Sequence, residues 1–140
     1  MVRGIQDERS LVRLFYRKGF AAVRTPASGG STKMPRPDII ASSRERGVQL
    51  AVEVKTTSRK ALYIPREPVD QLVDFADRFG CRPVLALKFK GRRRGWLFVR
   101  PEDLSVTRSG NYRITFDEAM LRGMDLRELI GEGRQARLER

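Results

Sequence analysis

The 140-residue sequence contains no histidine and only one cysteine, Cys81. The first absence removes Ser-His-Asp and Cys-His catalysis, imidazole acid–base work and the usual His-containing zinc sites. A catalytic centre here must be built from carboxylates, Lys, Arg, Ser or Tyr. Oxygen ligands of that kind favour Mg²⁺ or Mn²⁺ over zinc or copper. A single cysteine forms no internal disulfide, which fits a reducing interior, and Cys81 reads as a small buried hydrophobe after a helix. No uninterrupted apolar run approaches membrane length, and MVRGIQDERS at the N-terminus has no apolar core of the secretory type. The expectation is a soluble, cytoplasmic globular protein with no membrane partner.

Charge is what the sequence has in excess. Lys and Arg total 29 against 17 Asp and Glu, a net of +12. Such an excess on a small domain points to a polyanionic partner, nucleic acid first. A membrane surface is the second choice, but no basic amphipathic helix carries a Trp or Phe anchor face. The length suits one domain, expected over residues 1–130, followed by a basic, disordered tail over 131–140.

Hydrophobic spacing supplies the elements. Residues 6–18 read as a helix closed by Gly19, with Leu11, Val12 and Phe15 as its apolar stripe. Glu8 lies three, four and seven positions before them and so falls on the buried face. Residues 20–24 read as a short strand. The segment TPASGGSTKMPRP is a loop by composition, long enough to serve binding. Residues 38–41 and 50–55 form a hairpin about the turn at 44–47, which brings Asp38 toward Glu53. ALYI is a short strand, and residues from Pro68 onward form a helix with Val69, Leu72, Val73, Ala76 and Phe79 at helical spacing before Gly80. PVLALKF and WLFV are strands joined by the basic turn KGRRRG, and VTRSGNYRIT is a small hairpin. A short helical pattern precedes the tail.

LAVEVK poses the functional question. Strand alternation puts Leu50, Val52 and Val54 on one face and Ala51, Glu53 and Lys55 on the other. Taken alone, this is a half-buried strand with a solvated polar side. With Glu8 and Asp38 nearby, three carboxylates converge, and mutual repulsion would raise their pKa values unless a divalent cation supplies positive charge. Lys55 is placed to meet a phosphate, and Mg²⁺ can activate water without histidine. The constellation is that of a phosphodiester hydrolase.

Pro37-Asp38 followed by Glu53-Val54-Lys55 resembles the PD-(D/E)XK nuclease signature. RGIQDERSLVRLF, GFAAVRTPASGG, PDIIA, VEVK, LYIPRE, LVDFADRFG and PVLALKF, in that order, resemble the archaeal Holliday junction resolvases. The resemblance implies an α/β fold with a restriction-endonuclease-like core, a central mixed β-sheet flanked by helices. It implies Glu8, Asp38 and Glu53 as ligands of Mg²⁺ (Mn²⁺ substituting), Lys55 as transition-state stabiliser, and Ser28 as a catalytic serine. By the same resemblance Arg9 contacts substrate phosphate; Lys33 and Arg36 are assigned to DNA because they sit in the long, binding-type loop, which is longer than in some relatives. The resemblance further implies a homodimer that cuts four-way junction DNA symmetrically, with no organic cofactor and a cytoplasmic, nucleoid-associated location. The dimer patch is expected on the helix at 69–79 and neighbouring strand residues, with core as the alternative reading of that stripe. Rival readings are another PD-(D/E)XK repair or restriction-type nuclease, a non-catalytic DNA-binding module, or a basic scaffold protein.

Overall fold

The computed structural model describes residues 2–26 and 34–131. Ser28, Lys33 and the tail beyond residue 131 lie outside the described residues.

Leu11 and Phe15, one helical turn apart, anchor the first helix, α1 (Val2–Arg17). Both are completely buried, each burial worth about 1.5–3 kcal/mol. The helix starts earlier than its apolar stripe indicated. Strands β1 (Ala21–Arg24), β2 (Ile39–Ser43) and β3 (Val48–Thr57) then form an antiparallel meander. The turn at 44–47 closes on Gly47, which has φ +66°.

β4 (Ala61–Ile64) leaves this sheet and leads into α2 (Arg66–Phe79). Pro68 sits in the first turn of α2, where a missing N–H costs nothing. The helix ends at Gly80, whose φ of +83° lets its N–H bond the Ala76 carbonyl at 2.9 Å. β5 (Arg82–Phe89) returns parallel to β3, and β6 (Leu97–Val99) pairs antiparallel with β5. The sheet order is β1-β2-β3-β5-β6. The interior of β5 is apolar and buried on both faces, as a strand covered by helices on both sides must be.

β7 (Ser105–Val106) and β8 (Tyr112–Thr115) join β4 in a separate three-stranded sheet of order β4-β8-β7. Two short helices follow, α3 (Phe116–Arg122) and α4 (Leu126–Leu129). Thr115 and Glu118 close a capping box on α3, as Asp125 and Glu128 do on α4.

The sheet divides the core into two layers. On one face α1 packs Leu11 and Phe15 against Ile39, Leu50, Val52 and Phe98. On the other, α2 and the small sheet pack Leu72, Ala76 and Ile114 against Ala51, Leu85 and Leu87. For most of the stripe expected to form a dimer patch, the core alternative holds. Val69, Leu72 and Ala76 are core, and only Val73 and Phe79 of that stripe are exposed.

Candidate active site

The site forms where the ladder between β2 and β3 gives out. Pairing ends at Ile39 opposite Val52, so Asp38 and Glu53 are the next facing positions. The Asp38 N–H still donates to the Val52 carbonyl at 3.0 Å. One residue on, the Asp38 carboxylate replaces the backbone acceptor and takes the Val54 N–H at 2.8 Å. Asp38 is thus fixed by the strand it faces. Glu53 stands beside it with only 16% of its side chain exposed, and Lys55 Nζ lies 3.7 Å from Glu53 Oε2.

The electrostatics follow from burial. Glu53 is pushed up to about 7, first by desolvation and then by the Asp38 carboxylate, with Lys55 opposing and Glu8 adding to the rise. Asp38 is raised as well, chiefly by burial and by Glu8, against the lowering effect of the Val54 hydrogen bond, Lys55 and a hydrogen bond with Glu53. Two buried carboxyls in contact titrate as one unit that favours a shared proton as pH falls below about 7. Displacing that proton by a dication would satisfy both groups, so the Asp38–Glu53 pair fits a hard, oxygen-seeking metal ion.

Glu8 differs from its expected state. Its field reaches both Asp38 and Glu53, but its Oε1 accepts from Arg24 Nε at 3.1 Å. The three carboxylates therefore do not converge without neutralising partners: Arg24 compensates Glu8, and Lys55 partly compensates Glu53. Among the described residues no three acidic side chains stand together as a ready metal cage. For Glu8 to join the other two as a ligand, it has to leave Arg24.

The remaining expected residues are distributed around this centre. Arg9 is exposed on α1 beside Glu8. Arg36 lines a groove with Met34, Phe75 and Phe79, and its Nη2 is buried without a hydrogen-bond partner among the described residues. Ser28 and Lys33 lie outside the described residues.

Sequence reasoning passed over Arg24 because it closed an unremarkable strand, FAAVR. Its signal was position: it is the last residue of β1, opposite Ile39 and thus next to Asp38. Asp7 was also missed. Its Oδ2 is 3.4 Å from Lys90 Nζ, which ties α1 to the basic turn after β5.

A mixed sheet covered by helices on both faces, with Asp38 and Glu53-Val54-Lys55 brought together at the end of its hairpin, defines a restriction-endonuclease-like nuclease fold. The comparisons narrow the class. The family described as archaeal Holliday junction resolvase (Hjc) matches residues 1–138. The chain is 37% identical over 138 residues to crossover junction endodeoxyribonuclease Hjc of Methanocaldococcus jannaschii, covering 98% of this chain and 93% of that one. It is 35% identical over 109 residues to crossover junction endodeoxyribonuclease Hje of Saccharolobus solfataricus, covering 74% and 78%. The solved structure of Archaeoglobus fulgidus Hjc, titled a Holliday junction resolvase, superposes with a TM-score of 0.81 at 35% identity, covering 91% of this chain and all of that one. This chain belongs to the archaeal Holliday junction resolvase family.

Proposed function

We propose that this chain is a crossover junction endodeoxyribonuclease that resolves four-way DNA junctions, with Asp38, Glu53 and Lys55 at its catalytic centre. The observation that carries the reading is the buried Asp38–Glu53 pair beside Lys55, in a chain that matches the resolvase family over residues 1–138.

Asp38 and Glu53, joined by Glu8, would hold Mg²⁺, with Mn²⁺ as a substitute. When bound, the ion supplies Lewis-acid activation of a phosphodiester and of a hydrolytic water. Lys55, held near Glu53 by their ion pair, presents a compact ammonium to the charge that builds on the pentavalent phosphorus. Arg24 holds Glu8 in place until the site is filled. Ser28 is assigned a catalytic part and Arg9 a contact with DNA phosphate on the family resemblance, and Lys33 and Arg36 are assigned to DNA by their place in the long loop. Phosphate contacts supply affinity and register, whereas the branched shape supplies selectivity.

A homodimer completes the reading. One chain has one Asp38–Glu53 pair, and symmetric resolution needs two incisions, which an isologous dimer provides. The surface assigned to the dimer is the outer edge of α2. There Phe75 stacks on Phe79 with ring centres 5.3 Å apart, and exposed Met34 and Phe79 line a groove of about 560 Å³.

The test is incubation of the protein with labelled four-way junction and matched linear duplex, with and without Mg²⁺. Paired symmetric nicks on the junction, dependent on the metal, support the reading. Equal cutting of linear duplex overturns it in favour of a general nuclease.

A further inference from the structure

The face of the sheet that carries Glu53 and Lys55 continues into a second basic feature. On β3, Glu53, Lys55 and Thr57 stand opposite Leu85, Leu87 and Phe89 of β5, so all six share one face. Phe89 meets Phe116 edge-on, with ring centres 5.3 Å apart, and Phe116 forms the floor of a groove of about 490 Å³. Lys60, Arg92 and Arg113 line its walls, with Asp117 as the carboxylate among the lining residues. Four extended residues separate Glu53 from Thr57, about 13 Å at ~3.3 Å each.

The cations differ in how they are held. Arg113 is fixed by Tyr63, whose Oη accepts from its Nε at 3.1 Å, and stands 4.0 Å from Glu118. Arg92 lies over the Phe116 ring, its guanidinium carbon 5.0 Å from the ring centre. Its Nε is buried and has no hydrogen-bond partner among the described residues. Neither Arg92 nor the exposed Lys60 has an ion-pair partner among the described residues. A planar guanidinium set on an aromatic ring, with no carboxylate paired to it among the described residues, is suited to an oxyanion, because phosphate oxygens match its fork.

We propose that this groove is a backbone-phosphate site, in which Arg92 and Lys60 hold the DNA strand some distance along from the cleavage centre. The proposal rests on the resolvase reading for its ligand, since a polyanion held at the carboxylate pair offers further backbone phosphates to cations elsewhere on the surface. The groove thus adds a grip on the duplex outside the cleavage centre.

The experiment measures junction binding by the full chain across a salt series, for wild type, Arg92→Gln, Lys60→Gln and Arg92→Lys. Each lost phosphate contact should flatten the slope of log affinity against log salt by about 1 and weaken low-salt binding several-fold. Arg92→Lys should recover most of the slope, because it keeps the charge. The wild-type slope in both Gln variants, with melting temperatures unchanged, overturns the groove assignment. Wild-type protein that binds four-way junction no better than linear duplex overturns the resolvase reading instead. The same salt series on linear duplex then still reads the groove.

Discussion

In the metal-free protein Glu53 is pushed up to about 7 by burial and by Asp38, from an ordinary value of 4.5. Between those two values the folded chain binds more protons than the unfolded one. Stability must therefore fall as pH rises through that window. Glu53→Gln removes the burden, so without metal it should melt above wild type at pH 8, with the gain fading below about pH 4.5. Added Mg²⁺ should raise the melting temperature of wild type and leave the variant nearly unmoved. A scan across pH with and without Mg²⁺ checks both signs.

The same scale carries the chemistry. Asp38→Ala should abolish cleavage yet leave junction binding intact or tighter, since it removes a negative charge that DNA opposes. Lys55→Ala should slow cleavage on the order of 10²–10³-fold, and Lys55→Arg should recover little, because a planar fork does not replace a compact ammonium. Single-turnover rates with a binding assay alongside separate the two effects. A fully active Lys55→Ala would reduce VEVK to an ordinary half-buried strand.

At the scale of elements, α2 has two unlike faces, one in the core and one exposed. Its inner residue Leu72 is 3% exposed, whereas Phe79 at its end is 59% exposed. Leu72→Ala should cost about 2–5 kcal/mol through lost transfer energy and a cavity. Phe79→Glu should leave the melting temperature near wild type while shifting the sedimentation of the protein toward a monomer. Equal melting losses in both variants would place Phe79 in the core and the dimer surface elsewhere. The basic turn after β5 is likewise anchored by an element, for Lys90 reaches Asp7 on α1.

At the scale of the whole molecule, symmetry is what separates a resolvase from a nuclease that merely prefers branched DNA. Heterodimers of wild-type and Glu53→Ala chains should bind junctions and nick one strand only. Nicked junctions should then accumulate in place of two linear duplexes, which native and denaturing gels distinguish. If mixed chains still release linear duplexes at the wild-type rate, the two sites do not act in one dimer.

Much of this was written in local pattern. The apolar spacing at Leu11 and Phe15, the alternation through LAVEVK and the glycines at 19, 47 and 80 specify elements, because each depends on neighbours within a turn or a strand. The hairpin about 44–47 brought Asp38 to Glu53 for the same reason. The absence of histidine confined the chemistry to carboxylates, Lys, Arg, Ser or Tyr, and the excess of Lys and Arg pointed to a polyanionic partner. Long-range choices were not legible. That β5 lies parallel beside β3, and that β4 abandons the main sheet for β8, with Ala61 opposite Thr115, depends on which faces the helices cover. Glu8 was read as converging with bare carboxylates, but Arg24, sixteen positions away in sequence, takes its charge. The apolar stripe of α2 looked uniform, and only packing against Ala51 and Leu85 divides it into core and exposed edge. Sequence by itself determined the elements and the chemical types at the site. Tertiary structure decided the partners, because a side chain's neighbours across a fold are set by the burial of whole faces, and no local period encodes that.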